Sequence, residues 1–156
     1  MIAKRRFTGF TLVEILIVVV IMAVLAAVVI PQFTGSADDA KKSTANFNVG
    51  AVRSVIQTYR AHHDGGNPGT ATGTTLLTSL TKKSNKDGSI PADGSGTLGP
   101  YLVEIPPNPF TNDSTVTVVS AQPTSGSVTN KGWAYNPTTG EIWLDSDTDD
   151  NDEFSW

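Results

Sequence analysis

Two places in this sequence carry charge where charge is costly or crowded. The first is Glu14, the single ionisable residue in the run Phe10–Ile30 (FTLVEILIVVVIMAVLAAVVI). A carboxylate within such a run costs about 2.5–3.5 kcal/mol on membrane-insertion scales if it behaves like aspartate. Charges inside membrane helices generally have a partner and a task. The second is the acidic run Asp145-Ser146-Asp147-Thr148-Asp149-Asp150-Asn151-Asp152-Glu153. Calcium takes six to eight oxygen ligands, and an Asp-x-Asp-x-Asp pattern lets a turn aim several carboxylates inward. Asp145, Asp147, Asp149 and Asp150 are the candidate calcium ligands, with Asp152 in reserve. An EF-hand is excluded, because its sixth position would be Asp150 and its twelfth Trp156. The competing reading is a solvated acidic tail, the usual fate of a charge run. Against that, the run starts where a strand is predicted to end. It is also followed by Phe154 and Trp156, apolar anchors out of place in a free tail.

Little else in the 156 residues is equipped for catalysis. Without cysteine there is no disulfide framework, no thiolate metal site and no cysteine nucleophile. The two histidines, adjacent at His62 and His63, cannot build a multi-histidine zinc site. No G-x-S-x-G elbow, P-loop or H-E-x-x-H motif is present. The C-terminal carboxylates share one stretch, whereas a hydrolytic pair needs them on facing elements. The sequence argues against an enzyme. Lys82, Lys83 and Lys86, beside Asp87, read as a solvated surface, and no nucleic-acid partner is expected.

Glu14 needs a membrane-length helix around it. The 21 residues of Phe10–Ile30 make a helix about 31 Å long, the thickness of a bilayer's hydrocarbon core. Lys4-Arg5-Arg6 precede the span, and Asp38 and Asp39 are the first charges beyond it. That lysine and arginine bias keeps the N-terminus in the cytoplasm and sends the remainder across in a single pass. A cleaved secretory signal would also start basic and end in small residues such as Ala26-Ala27. The run is longer than the roughly 7–15 residues such signals use, and a cleavable signal gains nothing from Glu14.

These N-terminal residues resemble a known family. Lys4-Arg5-Arg6-Phe7-Thr8-Gly9, then Phe10-Thr11-Leu12-Val13-Glu14, is similar to the class III leader of type IV pilins and type II secretion pseudopilins. The resemblance implies that a prepilin peptidase cuts between Gly9 and Phe10 and that the new amine of Phe10 is methylated. It gives Glu14 a role in assembly, and Pro31 matches a proline found just past the apolar run. Leu76–Gly88 (LLTSLTKKSNKDG), Gly99–Phe110 (GPYLVEIPPNPF) and Gly132–Leu144 (GWAYNPTTGEIWL) resemble the body of the major, or G-type, pseudopilins. The implied function is a structural subunit of a type II secretion pseudopilus, polymerised through its N-terminal helix to support export of folded proteins across the outer membrane. A type IV pilus subunit for adhesion, motility or DNA uptake is the alternative.

The resemblance also implies partners. These are further copies of the chain in a filament, the prepilin peptidase, the inner-membrane platform and the minor pseudopilins, with membrane lipid around the helix before assembly. The implied location is the inner membrane, with the C-terminal domain and the assembled pseudopilus in the periplasm. Major pseudopilins bind calcium through a C-terminal acidic loop, which adds to the calcium expectation. Physics gives Glu14 its own logic. An amine and a carboxylate in low dielectric are each expensive alone and recover much of that cost when paired. One turn separates the two within a chain, so the pair forms either internally or with a neighbour's amine; the resemblance favours the neighbour.

Past the span the helix is predicted to continue as an amphipathic rod, kinked or loosened at Pro31, which lacks an amide donor. Phe33, Ala37, Ala40, Thr44, Phe47, Ala51, Val55 and Tyr59 are its expected buried face. Asp64-Gly65-Gly66-Asn67-Pro68-Gly69 ends it. A short helix follows around Leu76, Leu77 and Leu80. Strands are expected at Ser114–Ala121, Lys131–Tyr135 and Glu141–Asp145, the last two joined by a hairpin loop at Asn136–Gly140. Cross-strand aromatic pairing is expected from Trp133, Tyr135 and Trp143. Pro106, Pro107 and Pro109 predict an extended loop pinned by Tyr101 and Phe110. The fold class is α+β, a long N-terminal helix packed on a small antiparallel sheet. Its organisation is a leader (1–9), a membrane and assembly helix (10–30), an amphipathic continuation (31–64) and a globular part (65–156).

Overall fold

The computed structural model describes residues 9–124, 127, 129 and 131–146, with backbone alone at 30–35. The elements are α1 (Leu12–His62), α2 (Leu76–Thr81), β1 (Val116–Val118), β2 (Trp133–Asn136) and β3 (Glu141–Leu144). By internal contacts the chain divides into two units, Met1–Ala40 and Lys41–Trp156. In the first, Leu12–Val29 is long and apolar enough to cross a membrane, and none of it is buried. The helical backbone continues through Pro31, so the proline does not end the helix. Lys4, Arg5 and Arg6 lie outside the described residues.

The second unit is built against the last five turns of α1. Ala45, Val49, Val52, Ile56 and Tyr59 are buried there, a stripe of alternating four- and three-residue steps that stays on one helix face. The face expected from sequence is different and has to be corrected. Thr44 is exposed and Phe47 is 75% exposed. Three successive steps of four, from Phe47 to Tyr59, each drift by about 40° around a helix of 3.6 residues per turn. That series starts outside the core at Phe47 and winds onto it, half-buried at Val55 and buried at Tyr59.

The helix ends as its sequence predicts. Gly65 N–H donates to the Arg60 carbonyl at 2.8 Å, with Asp64 between them at φ 53°. This is the left-handed closure common at helix C-termini, made here by aspartate. Just before it, His63 is buried and stacked on Tyr59, with ring centroids 3.7 Å apart. Its Nδ1 sits 2.8 Å from the Tyr59 carbonyl, an atom that only accepts, so Nδ1 carries the proton. Nε2 then accepts from the Ser84 hydroxyl at 2.9 Å. His63 is therefore a strut between α1 and the loop after α2.

Helix α2 is held by a Thr75–Thr78 capping box and contributes Leu76 and Leu80 to the core. The sheet has the order β1-β2-β3. One face sends Trp133, Tyr135, Ile142 and Leu144 into the core, which Ile105 closes from the proline-rich loop. That loop is anchored by Trp133 Nε1, which donates to the Pro106 carbonyl at 2.8 Å, and by half-buried Tyr101 and Phe110.

Two sequence expectations fail in the sheet. It is mixed, because β1 runs parallel to β2 while β2 and β3 are antiparallel. The connection at 119–132 decides this, since it has the dozen or more residues that a parallel crossover needs. The aromatic pairing also fails: Trp143 lies opposite Ala134, while Trp133 and Tyr135 lie opposite Leu144 and Ile142. Trp143 therefore occupies the other face. The hairpin itself is as expected, with Gly140 N–H donating to the Asn136 carbonyl at 2.8 Å and Gly140 at φ 78°.

The buried stripe can be tested by substitution. Ile56→Ala should cost about 2–5 kcal/mol through lost burial and the cavity left behind. Phe47→Ala should stay within about 0.5 kcal/mol, as exposed positions do. Equilibrium denaturation of the detergent-solubilised protein reads both; comparable losses would contradict the assignment of the face.

Candidate functional site

Gly9 and Phe10, the expected cleavage junction, precede the first turn of α1, and both are exposed, Phe10 by 82%. Among the described residues no heavy atom beyond its chain neighbours lies within 4 Å of where a Gly9 side chain would begin. Glu14 sits in the first turn and is engaged by Thr11. Its Oε2 accepts from the Thr11 amide and the Thr11 hydroxyl, both at 2.9 Å. The Glu14 amide donates back to Thr11 Oγ1 at 3.2 Å. This is a capping box, in which a Thr and a Glu three residues apart satisfy each other's backbone donors at a helix start. The sequence signal is the spacing Thr11-x-x-Glu14, which a reading focused on charge in the membrane passes over.

At the end of β3, Asp145 is 2% exposed. Its Oδ1 accepts from the Thr129 amide at 2.8 Å, and its Oδ2 takes a very short hydrogen bond from the Thr129 hydroxyl. Its own amide donates to the Gly132 carbonyl at 3.2 Å. Both side-chain partners come from one neutral residue, and no cation pairs with Asp145 among the described residues. Of the other expected calcium ligands, Asp147, Asp149 and Asp150 lie outside the described residues, as does Asp152. Among the described residues no three acidic or histidine side chains gather in a way that would hold a metal. Thr129 had no signal in the sequence, because its contact with Asp145 depends on how the segment before β2 meets the end of β3.

The basic and aromatic candidates resolve plainly. Lys82 and Lys83 are exposed, and Lys86 pairs with Asp64 at 3.1 Å on the surface. Trp133 and Tyr135 are fully buried and belong to the core.

Comparison with known proteins connects these features. A family described as the prokaryotic N-terminal methylation motif matches residues 4–30, which include Gly9, Phe10 and Glu14. The type II secretion system core protein G of Pseudomonas aeruginosa is 34% identical over 119 residues, covering 69% of this chain and 81% of that one. The protein of the same name from Aeromonas hydrophila is 30% identical, covering 70% and 71%. The chain belongs to the type II secretion system core protein G family. A type IV narrow pilus major component of Thermus thermophilus, PilA5, is 40% identical over only 50 residues, 32% of this chain. No solved structure gives a significant match.

Likeness to the core protein G relatives runs over most of the chain, well past the methylation motif. The apolar helix and the family together fit a single-pass, membrane-anchored protein. The α+β arrangement of long helix and small sheet is the pilin-like architecture expected, with the mixed sheet as its one departure.

The Asp145 anchor gives a direct test in this member of the core protein G family. Thr129→Val removes a hydroxyl donor from a buried carboxylate while keeping the shape. The expected loss is about 1–3 kcal/mol, read by denaturant melts. A melt indistinguishable from wild type would show that the Thr129 contact contributes nothing.

Proposed function

We propose that the chain is a structural subunit of a type II secretion pseudopilus, polymerised through its N-terminal helix to support export of folded proteins across the outer membrane. The observation that carries this reading is the reach of the core protein G likeness, 69% of the chain for the Pseudomonas relative. The pilus component matches less than half that span, which sets the pilus alternative behind. In this reading a prepilin peptidase cuts between Gly9 and Phe10, and Phe10 becomes N-methylated. The helix holds the chain in the inner membrane with its N-terminus cytoplasmic and its globular part periplasmic. Pro31 loosens the helix near the membrane surface. Copies of the chain, the inner-membrane platform and minor pseudopilins are the partners. The subunit is structural and has no enzymatic step of its own.

Within this reading Glu14 supplies the counter-charge for the amine of a neighbouring subunit. Removing one partner of a buried ion pair costs about 3–5 kcal/mol. Glu14→Val should therefore leave insertion and cleavage intact yet reduce filament yield by roughly tenfold or more. Intact-mass spectrometry should find membrane-derived chains of both proteins starting at N-methyl-Phe10. A mature start near Ala27, or wild-type filament yield from the variant, would sink the reading.

We further propose that Asp145, Asp147, Asp149 and Asp150 hold a calcium ion. The supporting observation is Asp145, a buried carboxylate whose described partners are neutral, since an unpaired buried charge is expensive. Oxygen donors of this kind suit a hard cation, and bound calcium would supply positive charge and a cross-link at the end of β3. A hundredfold excess over Kd adds about 2.7 kcal/mol to stability. Thermal melts of the full chain in calcium and in EGTA should differ by several degrees. A melting temperature unmoved by millimolar calcium would return the run to a solvated tail.

A further inference from the structure

The side of α1 turned away from the core is unlike an ordinary solvated helix face. Ser43, Phe47, Gly50, Ser54 and Gln57 repeat the spacing of the buried stripe two residues earlier in the chain, which places them about 200° round the helix. All five are exposed, Phe47 by 75%. A helix that faces water normally keeps its charges on that side. Here the two charged residues of 43–61, Arg53 and Arg60, are half-buried, and no exposed residue of that stretch is charged. Gly50 is the second anomaly. Glycine inside a helix is destabilising relative to alanine, yet a side chain at Gly50 would meet nothing outside its own helix backbone within 4 Å. Among the described residues, nothing in the subunit uses that missing side chain. An exposed aromatic one turn from an unused notch, on a charge-free face, has the composition of an interface centre.

We propose that this face binds the corresponding stretch of α1 in a second copy of the chain, with Phe47 of one copy against Gly50 of the other. The proposal deepens the filament reading, on which it rests, by naming a contact between subunits outside the apolar segment. The occupant follows from charge and from continuity. The chain carries a net charge of −4, and like charges brought together across an interface are strongly unfavourable. Copies therefore meet most readily through surface that carries no charge, and the exposed side of 43–61 is such a surface. No ion has to be stripped of water to bury it. The stretch also belongs to the same helix as the apolar segment, since α1 runs unbroken from Leu12 to His62. A contact here is thus continuous along the chain with the proposed assembly helix. The small residues Ser43, Gly50 and Ser54 let a second helix approach closely, and Phe47 fills the space that Gly50 leaves.

The chain has no cysteine, so Ser54→Cys introduces a single attachment point of nearly the same shape. The full-length Ser54→Cys chain, reconstituted in lipid vesicles and treated with a short bis-maleimide, should give a cross-linked dimer. Adding Phe47→Ala should lower the dimer yield roughly fivefold or more, as truncation of an interface anchor does. Adding Gly50→Ala should lower it comparably, while raising the melting temperature of the detergent-solubilised chain by about 2–4 °C. That opposed pair of effects separates a contact between copies from damage to the fold. Absence of a dimer would assign the face to a different chain and overturn the proposal. A dimer yield that either substitution leaves unchanged would overturn it equally. Filaments from the wild-type chain beside an insensitive dimer would sink this contact alone. A sensitive dimer without filaments would uphold the contact and sink the pseudopilus.

Discussion

The second unit depends on one constraint, the burial of the stripe Ala45, Val49, Val52, Ile56 and Tyr59 on α1. Beyond α1 the regular elements among the described residues are one helix of six residues and strands of three, four and four. Elements this short cannot bury enough apolar surface among themselves to offset the entropy of ordering the loops. The sheet contributes one inward row, Trp133, Tyr135, Ile142 and Leu144, and α1 supplies the opposing wall. The helix therefore serves two solvents in one sequence. Its N-terminal stretch is apolar all round, as a bilayer demands, and its C-terminal stretch is apolar on one face, as a water-exposed domain demands.

With so little regular structure, side chains must satisfy the backbone of the loops. Asn108 is fully buried. Its amide donates to the carbonyls of Lys131 and Gly132, and its carbonyl accepts from the Phe110 amide. Asn67 ties the loop after α1 to the hairpin by donating to the Pro137 and Thr138 carbonyls. Tyr135 reaches the same loop with its hydroxyl on the Pro68 carbonyl at 2.9 Å. Burial raises the pKa of that phenol, which keeps it a neutral donor. Gly132 permits another close approach. A side chain there would collide with the Asp113 and Thr115 carbonyls, so the segment entering β2 can lie against the one entering β1 only as glycine.

The features legible in the sequence were those fixed by local chemistry. The end of α1 at Asp64-Gly65, the short helix at Leu76 and the turn Asn136–Gly140 each follow from residues adjacent in the chain. The features that escaped depend on partners remote in sequence or on phase accumulated along the helix. Phe47 is a large apolar side chain, yet geometry turns it outward, because the buried stripe runs through Ala45, Val49, Val52 and Ile56 on another face. Strand β1 carries β-branched residues that suit either orientation, and the length of the following connection makes it parallel. The Asp145–Thr129 contact pairs residues 16 apart. Neither residue announces the other. The capping box at Thr11 and Glu14 was fully legible, but it was masked by the stronger signal of a charge in an apolar run.

That capping box changes how the charge should be understood. A bare carboxylate in the bilayer would be an unrelieved cost before any neighbour arrived. Thr11 brings an amide and a hydroxyl to one carboxylate oxygen, so part of the lost hydration is replaced within a single turn. A cut between Gly9 and Phe10 leaves the Thr11 amide and hydroxyl untouched, and both donors persist in the mature chain. In the pairing proposed above, a neighbour's amine would meet an acceptor already oriented at the helix start. The net gain from such docking would be the Coulombic attraction minus whatever hydrogen bonding Thr11 gives up. Under that proposal, local satisfaction would make the unassembled subunit tolerable in lipid and would also moderate the energy released when subunits join. A carboxylate so held suits a subunit that must wait in the membrane before it assembles.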